Sequence, residues 1–440
     1  MITQLRKYQE EAVEKMTNKS HAYLNYGMGT GKTLICLEYL RRTNQKAFIA
    51  APFLVAQQVW KKEIAKHGFD FSHVFIHGKD KSKLFQSDAR IKIINYEGLL
   101  WLDEEIKTMG YNDLKDRVLI IDESTFIKGH SSKRFKTLRK SQSLFKGVYC
   151  LSGTPIPNGY QDLWSQYYMI DRGEALGASW SKFDERYFWH TGSPRWLSGM
   201  KEGAMAEIIE KIKPMTFSLR STEGMPEEVY QPYDIELPKS VYTMYKQLRK
   251  EVQEQCGEVM SVASMMSNKA RQITQGALYI GKDDRTFEVK HTEKIKALKE
   301  ILETTNGSPI ICAVYFRFEI DMIRKELGDI PVIAGGVPDK VKENIISKWD
   351  KGEVPLLLVH PKSLSHGLNM QHSGHRIIWY GLPWSLEQYQ QLNGRLVRPG
   401  QMEPVLIFHL KALHTKDDEV FDSLRDKDMT QEKFVKEMLK

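Results

Sequence analysis

Tyr26-Gly27-Met28-Gly29-Thr30-Gly31-Lys32-Thr33 is the stretch on which the reading of this chain turns. Its glycines fall at alternate positions and are followed by a lysine and a hydroxyl residue, so the backbone can curl with successive N–H groups facing inward and no Cβ in the way. A polyphosphate fits such a curl. The apolar run Ala22-Tyr23-Leu24 before it suits a buried strand. The segment Thr33-Leu34-Ile35-Cys36-Leu37-Glu38-Tyr39-Leu40 after it suits a helix whose positive N-terminal end faces the phosphates. In that setting Gly27, Met28, Gly29, Thr30 and Gly31 cradle the phosphates, Lys32 lies against the β- and γ-phosphates, and the Thr33 hydroxyl ligates Mg²⁺. A glycine-rich surface turn is the competing reading, and the strand and helix on the correct sides disfavour it. One position departs from the strict pattern, which has glycine where this chain has Tyr26.

Working outward, 440 residues exceed one ordinary core and fit two domains of about 200 residues each. A composition 41% hydrophobic and 27% charged is that of a soluble globular protein. No window approaches the roughly 20 apolar residues of a membrane span, and Met1-Ile2-Thr3-Gln4-Leu5-Arg6-Lys7 lacks a signal peptide's apolar core, so a cytoplasmic protein with no membrane partner is expected. Cys36, Cys150, Cys256 and Cys312 lie far apart, which supports neither a disulfide framework nor a zinc site. A net charge of +8 is compatible with a polyanionic partner without requiring one.

Upstream, Leu5, Tyr8 and Ala12 share one face of a helical pattern, and Gln9 on it can donate to and accept from an adenine edge. Downstream, Lys46–Pro52 and Ile91–Tyr96 read as strands alternating with helical stretches Val55–Lys66 and Gly98–Lys107. Val118-Leu119-Ile120-Ile121 then requires a strand covered on both faces, and Asp122 and Glu123 fall where it emerges. Behind a phosphate loop, that placement assigns Asp122 to Mg²⁺ and Glu123 to the water attacking the γ-phosphate. The basic cluster Lys128, Lys133, Arg134, Lys136, Arg139 and Lys140 reads equally as a solvated face and as a phosphate-backbone contact. Val148–Leu151 is another buried strand, and Ser152-Gly153-Thr154-Pro155 at its end could sense the nucleotide site. An aromatic-rich helical insertion follows at about 160–215, its rings mostly core.

Pro226, Pro232 and Pro238 mark a boundary, giving domains 1–228 and 229–440, the second with a helical insertion at about 240–285. Strands at 309–314, 331–334, 356–359, 376–380 and 405–408 alternate with helices, so both halves read as doubly wound α/β domains. The second half has no phosphate loop. It offers Gln391, Arg395 and Arg398, with the two arginines one turn apart at a helix end and hence on one face. Paired guanidiniums suit charge on a transferring phosphoryl group, and an exposed surface pair is the alternative.

Taken in order, these motifs resemble the superfamily 2 helicases and translocases of the Swi/Snf-type branch. The resemblance covers most of the chain. Leu5-Arg6-Lys7-Tyr8-Gln9 is similar to that branch's adenine-reading opening, Asp122-Glu123-Ser124-Thr125 to its DExx box, and Leu151–Asn158 to its coupling motif. Gly367-Leu368-Asn369, Trp384, Gln391, Arg395, Arg398, Gly400 and Gln401 resemble its closing signatures. Thr125 and Leu364-Ser365 depart from the remodeller pattern and look like compact phage or prophage members. The resemblance implies two tandem RecA-like parallel-sheet lobes, with ATP and Mg²⁺ as cofactors. Arg6 and Gln9 would lie on the adenine side, Ser152 and Thr154 would couple the site to movement, and Gln391, Arg395 and Arg398 would join Lys32 and Glu123 in catalysis. Nucleic acid would be gripped through its phosphates near Pro52, Tyr96 and Ser363. The function implied is an ATP-dependent DNA translocase or helicase on duplex or branched DNA, monomeric and indifferent to sequence, in which hydrolysis drives lobe closure. An RNA helicase and an ATP-gated binding module with little turnover remain the alternatives.

Overall fold

The computed structural model describes residues 4–109, 112–191, 198–219, 224–255, 260–280, 286–305, 307–364 and 370–439. It divides into two units, one formed by Met1–Ser221 with Lys427–Lys440, the other by Thr222–Asp426.

In the first unit the aliphatic runs become β1 (His21–Tyr26), β2 (Lys46–Ala51), β3 (His73–Ile76), β4 (Ile91–Asn95), β5 (Arg117–Asp122) and β6 (Gly147–Ser152). A short hairpin, β7 (Phe188–His190) with β8 (Ser198–Met200), precedes β9 (Thr216–Leu219). Seven strands pair in parallel in the order β3-β4-β2-β5-β6-β1-β9. Because parallel strands need crossover helices, both faces are covered, and an apolar cluster lies on each. The two helices nearest the loop, α1 (Lys7–Thr17) and α2 (Lys32–Thr43), pack against one face. The aromatic insertion is core, as its composition predicts: Trp164, Phe183, Tyr187 and Phe188 join the cluster on the other face. So do Phe434 and Met438 from the end of the helix Lys416–Leu439.

The second unit repeats the plan with β10 (Glu228–Ile235), a two-stranded β11 (Ala277–Tyr279) and β12 (Phe287–Val289), then β13 (Ile310–Ala313), β14 (Val332–Ile333), β15 (Leu356–Val359), β16 (Arg376–Trp379) and β17 (Val405–Ala412). Six of these form a parallel sheet in the order β10-β17-β16-β13-β15-β14. The described part of the helical insertion includes the helical segments Lys239–Gln255 and Met260–Gln275. Among the described residues no helix is long and apolar enough to cross a membrane.

Beneath the second sheet lies a buried polar cluster. Lys294 pairs with Asp417 at 2.6 Å and donates to Gln275 Oε1 and the Tyr380 carbonyl. Glu319 close by accepts the Tyr315 N–H, and burial pushes its carboxyl up to about 7 against the pull of that bond, Lys294 and Arg271. A carboxyl raised on folding contributes stability that is complete below about 4.5 and lost as pH rises through about 7. The second unit is therefore expected to lose about 1 kcal/mol between pH 6 and pH 8 from this group alone. Thermal melts of Glu319→Gln should show that part of the slope removed. An unchanged slope would contradict a protonated Glu319.

Candidate active site

In the first unit the residues read as chemical lie together because they end adjacent strands of one parallel sheet, whereas Gln391, Arg395 and Arg398 belong to the second unit. β1 delivers Tyr26 and the loop, β5 delivers Asp122, β6 delivers Ser152, and β2 and β4 end just before Pro52 and Tyr96. Register carries this alignment across the sheet: Asn25 pairs with Ser152, and Asp122 with Leu151. Ligands of open parallel sheets bind outside these carboxyl ends.

Within the loop, Gly29 and Gly31 have φ of 74° and 80°, the left-handed region that disfavours a Cβ. At Gly31 a Cβ would also fall 2.5 Å from Gln9 Nε2. Tyr26 needs no such freedom: it is the last residue of β1, buried, and paired with Leu219 of β9. That accounts for its tolerance where the strict pattern has glycine. Lys32 opens α2, and its Nζ donates to the carbonyls of Tyr26 at 2.8 Å and Gly27 at 3.2 Å. Thr33 sits one residue on, in the first turn, where leading amides have no acceptor within the helix.

Gln9 is buried and bound at both ends of its amide. Its Oε1 accepts the Arg6 N–H at 2.9 Å, and its Nε2 donates to the Thr30 carbonyl at 3.0 Å. It thus ties α1 to the loop with one of the two N–H groups and one of the two acceptor positions of its amide.

Asp122 is 6% exposed, and burial pushes its carboxyl up while the Lys32 ammonium and the Trp60 indole N–H pull it down. Glu123, next to it, holds a left-handed backbone at φ 55°, a strained conformation for a residue with a side chain. The Tyr96 hydroxyl secures that turn, donating to the Asp122 carbonyl at 2.7 Å and the Glu123 carbonyl at 3.3 Å. A cradle of loop amides, a cation on the loop, a hydroxyl in the first turn and a buried carboxylate within electrostatic reach of Lys32 fit a triphosphate with Mg²⁺.

The coupling motif touches this assembly. A Cβ on Gly153 would fall 3.4 Å from both Met28 N and the Tyr26 carbonyl oxygen, so the motif's backbone lies on the loop's. Ser152 Oγ accepts the Thr154 N–H at 3.0 Å, and the buried Thr154 Oγ1 has no partner among the described residues. Gln166 was not singled out by sequence, yet it bridges box and motif. Its Oε1 accepts from Tyr23 at 2.7 Å and Ser124 at 2.6 Å, and its Nε2 donates to the Pro155 and Asp162 carbonyls, both at 2.8 Å. A glutamine on an aromatic-rich helix carries no sequence signal of that role.

Tyr96 is 1% exposed and braces the carboxylates, and Pro52 is likewise buried, its carbonyl accepting the Ala56 N–H. One sequence expectation needs correction, the helical placement of Arg395 and Arg398. Arg395 and Arg398 are not on the helix. The helix Leu386–Asn393 stops short of them with Gly394 at its C-cap, and the end is fixed by Asn393 Oδ1 accepting the Trp379 indole N–H. Arg395 is 4% exposed with Nε donating to the Gln391 carbonyl, whereas the half-buried Arg398 donates to that of Gly394. Gln391 is buried, with Nε2 donating to Glu387 at 3.3 Å. Within the basic cluster, Arg134 pairs with Glu97, Lys140 with Asp103, and Arg139 lies over the Tyr168 ring.

Ser363 keeps an accessible place. It lines a crevice of about 430 Å³ outside the carboxyl ends of β13, β14 and β15, with Arg317, His360 and Lys362 on the same walls. Gly367, Leu368 and Asn369 lie outside the described residues.

Comparison with known proteins bears on the whole chain. The family model of the SNF2-related domain matches residues 8–255, and that of the helicase conserved C-terminal domain matches residues 293–400. Protein p41 of Acyrthosiphon pisum secondary endosymbiont phage 1 is 30% identical across 98% of this chain and 98% of its own length. The ATP-dependent helicase MG018 of Mycoplasma genitalium is 24% identical over 95% of this chain and 41% of its own length. The DNA annealing helicase and endonuclease ZRANB3 of Mus musculus is 21% identical over 91% and 38%. The chain thus spans nearly all of the phage relative and under half of the other two. With its site gathered at one sheet edge and both domain models matched in order, the chain belongs to the SNF2-related family, a family of nucleic-acid-dependent ATPases.

Proposed function

We propose that this protein is a DNA-stimulated ATPase that translocates on duplex or branched DNA without reading its sequence. The observation that supports it best is the packing of the Gly153 backbone on the loop beside Lys32, since a nucleotide-driven shift of the loop is then felt by the coupling motif. In this reading Gly27 to Thr33 hold the phosphates, and Thr33 and Asp122 hold Mg²⁺. Glu123 takes the proton of the attacking water, and Gln391, Arg395 and Arg398 act on the transferring phosphoryl group. When bound, Mg²⁺ supplies charge neutralisation at the phosphate oxygens. Arg6 and Gln9 lie on the adenine side.

Nucleic acid is gripped through its phosphates, with the cations Arg317 and Lys362 beside Ser363 as one contact, so binding weakens steeply with salt. DNA is preferred over RNA as the track because a relative of this chain is named as a DNA annealing helicase.

Hydrolysis measured with single-stranded, duplex, forked and four-way DNA and with duplex RNA tests this, paired with strand displacement. Duplex or branched DNA should stimulate most, and duplex RNA in first place would favour the RNA helicase. Glu123→Gln should cut turnover by about 10²- to 10⁴-fold with DNA binding retained. Turnover indifferent to that substitution would leave an ATP-gated binding module instead.

A further inference from the structure

Trp60, outside the recognised motifs, touches the carboxylate assigned to the metal. Its side chain is 0% exposed, and its indole N–H donates to Asp122 Oδ2 at 3.0 Å. Sequence gives it only as an aromatic on an amphipathic helix, where packing is sufficient explanation.

Two physical features make more of it. First, the indole N–H donates and has no acceptor capacity, and it is neutral. It fixes one oxygen of Asp122 without competing for a cation and without cancelling the negative charge, which a lysine or arginine in its place would do. Second, the backbone goes to some trouble to aim it. Trp60 begins α3 (Trp60–Lys66), directly after a π-helical turn, Val55–Val59, and its own N–H donates to the Val55 carbonyl. A π turn inserts one residue into a helix, and each residue rotates the following side chains by about 100°. In an uninterrupted α-helix from Pro52 onward, Trp60 would be rotated by about 100° from the face it occupies here. The turn is anchored at its start, where the Ala56 N–H donates to the Pro52 carbonyl just past β2. β2 and β5 are neighbours, Ala50 pairing with Ile121, so the turn spans from one strand end to the carboxylate at the next.

We infer that Trp60 is a positioning residue for Mg²⁺, orienting the Asp122 carboxylate from behind by a hydrogen bond that the Val55–Val59 π turn sets in place. The inference rests on the assignment of Asp122 to the metal. Groups that orient a ligating carboxylate in this way typically change metal affinity by 10- to 100-fold when removed.

The test is a Mg²⁺ titration of fluorescent ADP binding to the full chain, which reads affinity and not turnover. Trp60→Phe keeps an aromatic ring and removes the donor. It should raise the Mg²⁺ concentration for half-maximal tight binding about tenfold and leave metal-free nucleotide affinity unchanged. Steady-state hydrolysis should show the same split, with a higher Mg²⁺ requirement and a kcat near wild type at saturating Mg²⁺. A folded Trp60→Phe protein with an unaltered Mg²⁺ titration overturns the inference. Asp122→Asn, run alongside, separates two failures: if it too leaves the titration unaltered, the metal assignment of Asp122 falls. If it alters the titration and Trp60→Phe does not, only the role of Trp60 falls.

Should Trp60→Phe not fold, indole ¹⁵N spectra carry the test. Among the nine tryptophans, one N–H signal must move both in Asp122→Asn and on adding Mg²⁺ with ADP to the wild type. Absence of a shared signal overturns the inference.

Discussion

Lys32→Ala is expected to lower ATP turnover by at least about 10³-fold and to weaken ATP binding by about tenfold, with the fold retained. Nζ now donates to two neutral loop carbonyls, of Tyr26 and Gly27. Phosphate oxygens entering the loop offer charged acceptors instead, and charge-assisted bonds are roughly twice as strong as neutral ones. The lysine therefore has a stabilised resting place and a better one with nucleotide bound. Alanine loses both, and it also strips Asp122 of the cation that opposes its burial. Stability should fall by only about 1–2 kcal/mol, the worth of the two carbonyl bonds. Near-normal turnover, measured with calorimetric ATP binding on the same preparation, would refute the loop assignment.

Arg398→Ala should act in the opposite proportion, sparing ATP affinity to within about threefold and cutting hydrolysis by about 10³- to 10⁵-fold. A cation matched to charge that develops only during phosphoryl transfer contributes to rate and little to ground-state binding. Arg398 is the better arginine to test because it is half-buried, whereas Arg395 is enclosed and its loss would mix catalysis with stability. If affinity fell and rate did not, the finger role would be wrong.

Much of the architecture was legible because parallel strands, buried on both faces, must be written as unbroken aliphatic runs, and Val118–Ile121 and Ile310–Cys312 are such runs. The loop was legible because its chemistry lives in the backbone and only glycine permits it. The illegible parts depend on partners far away in the chain. Arg134 and Lys140 look free in sequence, and their carboxylates lie 37 residues upstream. Tyr96 reads only as the end of a strand run, but its ring stacks on Phe126 and its hydroxyl reaches the carboxylate strand. The helix before the arginines ends at Asn393, whose side chain accepts a tertiary hydrogen bond from Trp379, and no spacing rule encodes that. The role of Trp60 is illegible for a related reason: a π turn changes which face a residue occupies, and periodicity assumes that no such turn is present.

Displacement of a third strand from a DNA triplex tests the central claim most directly, because a motor moving along duplex DNA strips the strand without opening the duplex. The account predicts displacement that requires ATP and is lost in Glu123→Gln, with the Gln variant still bound to DNA. A wild-type protein that hydrolyses ATP faster on duplex DNA yet leaves the triplex intact would contradict translocation.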